Sequence, residues 1–336
     1  MKLFHHFQTC TSHTLIFGTE VWEQAIKLSF DSECLTHAIL CVSARHHAFL
    51  TPEEPKYAAA AAAHLCQALH LFREALSAGF TPANVDIFLT TAILIQFEIW
   101  TNIDFVSFGS DGISLNASWD RMFELSLGLQ QIFHNSLPHV FEGPSVFVKP
   151  ARYSPRTTLV RAATISRCTL DLFMSHFDYA RPMEKGALQT PLPFKRGEDL
   201  APEECWMYHS WHLVDDGGPA EESYIRALRR LCLLMSFLPE AQGDRETSHG
   251  LTDDLVSDYA RYVFLFPVLL LERPLIRMTK QRNPKALLLL YHYFRCIRVL
   301  LPRKECWWAQ KRASISEMAL WEILEKQCSM AGQSPT

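Results

Sequence analysis

Four residues in one stretch combine the side chains that chemistry most often uses: Cys205, His209, His212 and Asp216. Their spacings of four, three and four residues place them on one face if the stretch is helical. A thiolate, two neutral imidazoles and a carboxylate could together hold zinc. A thiolate–imidazole pair such as Cys205 and His209 could instead act as nucleophile and base. Trp206, Met207, Tyr208 and Trp211 are interleaved with them in a proline-rich setting, so ordinary packing explains the same residues. The expectation is no metal and no cofactor, with these four as a catalytic set only if the protein is an enzyme.

Other chemistry-bearing residues read as structural. His292 interrupts Leu287-Leu288-Leu289-Leu290-Tyr291-His292-Tyr293-Phe294, which is apolar nearly all round and reads as a central helix. His5-His6 and His46-His47 are expected at helix ends and surfaces, with no role. Gly109-Ser110-Asp111-Gly112 reads as a plain turn. The sequence contains no G-x-G-x-x-G, no P-loop, no G-x-S-x-G and no H-E-x-x-H. Its 10 cysteines include no C-x-x-C pair and mostly lie in apolar stretches, which predicts reduced, buried thiols.

Charge and hydropathy exclude further classes. Thirty-two Lys and Arg against 36 Asp and Glu give a net charge of −4, without the basic stripe of a free-standing nucleic-acid binder. Arg226 to Arg230 and Lys280 to Arg282 are broken basic stretches that read as solvated helix faces. Met1 to Phe7 lacks the apolar core of a secretory signal. The apolar runs Ile87 to Phe97 and Tyr262 to Leu271 are shorter than the roughly 20 residues of a spanning helix. These features predict a soluble, intracellular protein of nucleus or cytoplasm with no membrane span.

The elements that must position these residues are helices. With 13 glycines in 336 residues, glycine stands at about half its usual share of roughly 7%. Thr51-Pro52-Glu53-Glu54 reads as a capping box before an amphipathic helix through Leu76, with Gly79 placed to end it. Thr81-Pro82 and Asn283-Pro284 repeat the cap-and-proline device. Further helices are predicted over 35–50, 119–133, 156–179, 224–238, 252 onward and 305–328, with Pro267 and Pro274 ending or kinking the segment they interrupt. Stretches 136–155 and 181–219 read as loops. The predicted fold is all-α: a single irregular helical bundle over 1–336, with an N-terminal half to about 135 and a C-terminal half over 156–330.

Phe266-Pro267, then Asn283-Pro284-Lys285-Ala286-Leu287, then Leu290 to Phe294, then Trp307-Trp308, form an order of motifs similar to that of a fungal family. They resemble the regulatory domain of zinc binuclear-cluster transcription factors, the sterol uptake control group in particular. Leu3 to Phe7, Leu35 to His46, Tyr57 to Arg73 and Trp119 to Leu129 resemble that domain's earlier helices. The resemblance implies an all-helical bundle with an apolar ligand pocket. Candidate lining residues are Trp119, Phe123, Phe264, Phe266, His292, Trp307 and Trp308. The family's DNA-binding module carries six cysteines with two C-x-x-C pairs, and this sequence shows only Cys34-x6-Cys41 on an apolar stretch.

Two functions fit these readings. One is a transcription-regulator-like protein without its own zinc cluster. It would govern lipid, sterol or secondary-metabolite genes by binding an apolar molecule of sterol, polyketide or terpenoid size and a protein partner or second copy, without contacting nucleic acid itself. The other is a biosynthetic enzyme, a cyclase or isomerase, that uses the helical pocket to orient its substrate.

Overall fold

The computed structural model describes residues 2–109, 112–115, 121–163, 220–239, 250–270 and 273–331. Cys205, His209, His212, Asp216 and Trp119 lie outside them, as do the loop 181–219 and the Phe123 side chain.

Helix α1 (Lys2–His6) runs into a π-turn (Phe7–Thr11) and a 3-10 turn (Ser12–Thr14), followed by α2 (Thr19–Ser29). Next come α3 (Glu33–Leu50), α4 (Pro55–Leu76) and α5 (Val85–Thr101). Helices α3 and α4 pack closely because Cys41 and Ala44 meet Ala61, and such small side chains let the two backbones approach. Helix α5 is buried nearly all round, from Val85 through Phe88, Leu89, Ile93 and Phe97 to Trp100. That makes it the central helix, as its unbroken apolar composition requires.

The second half continues with α6 (Arg121–Glu142), α7 (Val148–Arg152) and α8 (Pro155–Ala162). Then follow α9 (Ala220–Met235), α10 (Asp253–Leu270), α11 (Arg273–Lys280), α12 (Pro284–Leu300) and α13 (Trp307–Ala331). The architecture is all-α, as expected. Among the described residues the exception is a hairpin of β1 (Val106–Gly109) and β2 (Gly112–Leu115), antiparallel with Gly109 opposite Gly112. The two glycines of the turn read from sequence therefore end one strand and begin the next.

Local signals fall where side-chain chemistry demands, with some shifts. Asn283 Oδ1 accepts from the Lys285 N–H at 3.0 Å with Pro284 at the first helical position, as predicted. Gly79 takes φ 79°, the left-handed conformation that glycine adopts without penalty. Pro55, and not Pro52, opens α4, while Thr51 is spent on the end of α3, its hydroxyl donating to the His47 carbonyl at 2.8 Å. Pro138 lies inside α6, so 136–142 is helix where a loop was expected, and α7 occupies part of the remainder. Pro267 likewise lies inside α10, which continues to Leu270.

Two buried guanidiniums tie distant elements together. Arg312 of α13 donates to the carbonyls of Ile99 (2.8 Å), Trp100 (3.1 Å) and Asn102, and covers the Phe105 ring at 4.4 Å. Ile99 and Trp100 lie in the last turn of α5 and Asn102 caps it, where helical donors run out apart from the Asn102 N–H, which also reaches the Ile99 carbonyl at 3.3 Å. Burial presses the Arg312 pKa down to about 9, so the group remains a cation at neutral pH. Arg261 of α10 donates to the Pro150 carbonyl at 2.8 Å and lies 4.5 Å over Phe17, a residue held at φ 77°.

Candidate functional site

The predicted lining residues separate into distinct neighbourhoods. Phe264 and Trp308 meet edge to face at 5.3 Å, and both contact α5. Phe97 lies 4.4 Å from Phe264 and 5.5 Å from Trp308, while Trp100 lies 5.2 Å from Trp308. Phe266 stacks on Tyr293 at 4.3 Å, and Tyr293 links back to Trp100 at 6.2 Å. His292 instead faces Tyr291, whose ring meets Trp321 near the surface. Trp307 leaves the cluster altogether: it stacks on His46 at 4.8 Å and its Nε1 donates to Thr14 Oγ1 at 2.9 Å. The C-terminal helices therefore close this core through α5, whose Phe97 and Trp100 were not among the expected lining residues. The continuous apolar run from Ile87 carried the signal, since a helix apolar on every face must be surrounded.

His46 corrects the sequence reading more sharply. It was expected at a helix end or surface, yet it is 4% exposed. Its position explains this: Leu35, Ile39, Val42 and His46 recur at the spacing of a single helix stripe, and that stripe faces the core.

The aromatic core has little acid–base capacity among the described residues. Tyr293 donates to the Val263 carbonyl at 2.8 Å, and Tyr259 donates to the Leu234 carbonyl at 3.2 Å. Burial pushes both phenols far above the ordinary tyrosine value, so they stay neutral donors. Burial first, and then the Glu98 carboxylate, also keep the Cys41 thiol protonated. Glu98 itself is committed to a bidentate pair with Arg45. No group of three or more His, Cys, Asp or Glu suited to a metal occurs among the described residues. No helix there is long and apolar enough to cross a membrane.

The core does hold unmet hydrogen-bonding capacity. The buried indole N–H groups of Trp22, Trp100 and Trp308 and the Tyr262 hydroxyl have no hydrogen-bond partner. Buried Trp and Tyr ordinarily find one, because leaving a donor unmatched costs about 1–3 kcal/mol. The arrangement suits an apolar molecule with a hydroxyl or carbonyl better than it suits proton transfer.

Comparison with known proteins follows the N-terminal helices. A Zn(2)-C6 fungal-type transcription factor of Gibberella zeae is 30% identical over 119 residues. That match covers 33% of this chain and 24% of the Gibberella zeae protein, about a quarter of its length. The family model of the fungal specific transcription factor domain matches residues 2–129, which contain α1 to α5, the hairpin and the first turns of α6. Over residues 2–129 the chain is therefore similar to the fungal specific transcription factor domain.

Proposed function

We propose that this protein is a regulator in a fungal transcription programme, controlled by an apolar small molecule held between α5 and helices α10, α12 and α13. The observation that carries the reading is the aromatic core, with the unpartnered indole N–H groups of Trp100 and Trp308 in rings 5.2 Å apart. A sterol-, polyketide- or terpenoid-sized molecule would cover the rings and supply an acceptor to those donors. Apolar pockets with a few orienting polar groups are the usual form of such sites. Phe264, Phe266, His292 and Trp308 are buried, so entry requires the helices around them to part. That coupling between ligand and helix packing is what a regulator needs, since a ligand shifts conformations only through its differential affinity for them. The regulated genes are those of lipid, sterol or secondary metabolism, the site of action is the nucleus, and a protein partner supplies the contact with DNA.

The test is a thermal-shift panel of sterols, terpenoids and polyketides on the whole chain, with mass spectrometry of the recovered ligand. Binding to the native state alone raises the melting temperature with ligand concentration. A ligand that returns unchanged supports regulation. A converted ligand moves the protein to the enzymes, and a panel without any shift defeats the pocket. Sequence-selective binding of duplex DNA by the chain alone would remove the need for a DNA-contacting partner.

A further inference from the structure

The start of the chain is fastened by imidazoles. The His6 ring of α1 lies 4.3 Å from His47 and 5.1 Å from His46, both on α3. His46 in turn stacks on Trp307 of α13, and its Nδ1 is 3.0 Å from Thr11 Oγ1. His47 stacks on Tyr57 of α4 at 4.1 Å. Trp307 and Thr14 complete the enclosure through their hydrogen bond. Three histidines thus gather where α1, α3, α4 and α13 converge, and the buried His6 Nε2 and His47 Nδ1 have no hydrogen-bond partner.

The surroundings supply little to neutralise added charge. From α1 come His5 and Lys2, both exposed and both basic. On α3, Arg45 is turned to Glu98 of α5 in an ion pair, so that carboxylate is already committed. At the start of α4, Glu54 pairs with Lys56, and Glu54 is the carboxylate that feels the charge of His47. Tyr57 of α4 and Trp307 of α13 present neutral rings, and His13, Lys304 and Glu305 of the adjoining turns are exposed.

We propose that His6, His46 and His47 form a proton-operated latch. Neutral, the cluster holds residues 2–14 against α3 and Trp307; protonation of His6 and His46, whose rings lie 5.1 Å apart, sets like charges side by side and releases that segment. Burial first, then the neighbouring imidazoles, hold both His6 and His46 below the ordinary imidazole range, His46 down to about 4. A proton that this site resists binding is one that the released segment binds readily, so acidification favours release. The segment lies at the start of the matched region, so its release would report acidification through that region.

Hydrogen exchange on the whole chain reads this directly. From about pH 7.5 to about pH 5, after correction for intrinsic exchange, residues 2–14 should lose about tenfold more protection than α5. In the His6→Gln/His46→Gln/His47→Gln triple variant the segment should show the same protection at both pH values. His70→Gln, an exposed site outside the cluster, should leave the wild-type response intact. Should the triple variant not fold, His47→Gln alone should reduce the response, and the Trp307 fluorescence change with pH should shrink with it. Equal protection of wild-type residues 2–14 at both pH values overturns the latch, as does a pH response that survives the substitutions undiminished.

Discussion

The core around Trp308 and the enclosure around Trp307 are entered from consecutive residues of α13, about 100° apart around the helix, and they are built from different chemistry. Trp308 meets Phe97, Trp100 and Phe264, rings that do not titrate, and its own N–H has no partner. Trp307 meets His46, and its N–H is bonded to Thr14. Ring burial dominates the first region, and nothing between about pH 4 and pH 9 changes the charge of its rings. The second depends on keeping imidazoles neutral. The proposed control by an apolar ligand would act on the first region and the proposed proton latch on the second, with one helix connecting them.

Deep truncation in the aromatic core should have the largest effect. Trp308→Ala removes a ring that is 1% exposed and should cost about 3–5 kcal/mol in urea unfolding. A cost under about 1 kcal/mol would show that the core is not the centre of stability. Arg312→Met should come next, at about 2–4 kcal/mol, because it withdraws donors from three carbonyls at the end of α5. Arg298→Met is the matched control. Arg298 is itself exposed but its partner Glu317 is buried, so the change leaves a buried carboxylate unpaired and should cost about 1–2 kcal/mol, less than Arg312→Met.

The two regions were unequally legible from sequence. Apolar runs and Asn-Pro caps announce helices because burial and capping act within a few residues, so α3 and α13 were expected within a few residues of their observed bounds, as were the starts of α10 and α12. The partners of Phe264 and Trp308 were not, because they depend on α5 passing between helices distant in sequence. Pro138 misled for a related reason. A lost hydrogen bond ends a helix only where tertiary packing does not hold it, and α6 continues through Pro138. Helix α2 and the hairpin were not anticipated at all. His46 was legible in principle, since it continues the Leu35–Ile39–Val42 stripe, but the polarity of imidazole masked the spacing. The four residues around Cys205 remain a sequence reading, outside the described residues.

The pH response should be smaller than either truncation. The folded-state pKa of His46 is depressed to about 4, below the ordinary 6.5. Stability is therefore full above about pH 6.5 and falls as the pH drops from there toward about 4, because the unfolded chain binds the proton more readily. Between pH 7 and pH 5 the loss should reach at most about 2 kcal/mol, and less to the extent that water reaches the ring. Urea unfolding across that range checks it. His46→Gln should flatten the slope, while Trp308→Phe should leave it unchanged. A slope that Trp308→Phe abolishes would erase the distinction between the two regions.

The smallest effect sharpens the comparison most. Thr14 Oγ1 accepts from Trp307 Nε1 and donates to the Thr11 carbonyl at 2.7 Å, so a single hydroxyl joins α13 to the N-terminal turns. A double-mutant cycle of Trp307→Phe with Thr14→Val should return a coupling of about 1 kcal/mol at neutral pH, the usual net worth of such a bond. The same Thr14→Val change combined with Trp308→Phe should be additive within about 0.5 kcal/mol, since the two share no partner. Repeating the first cycle near pH 5 then asks whether the regions separate as charge enters the imidazoles. If the N-terminal segment is released, its hydroxyl no longer meets the indole, and the coupling should fall toward zero while the Trp308 cycle does not move. A coupling that holds its neutral-pH value would mean that Trp307 grips Thr14 whatever the charge on His46, and that the enclosure is as insensitive to protons as the core beside it.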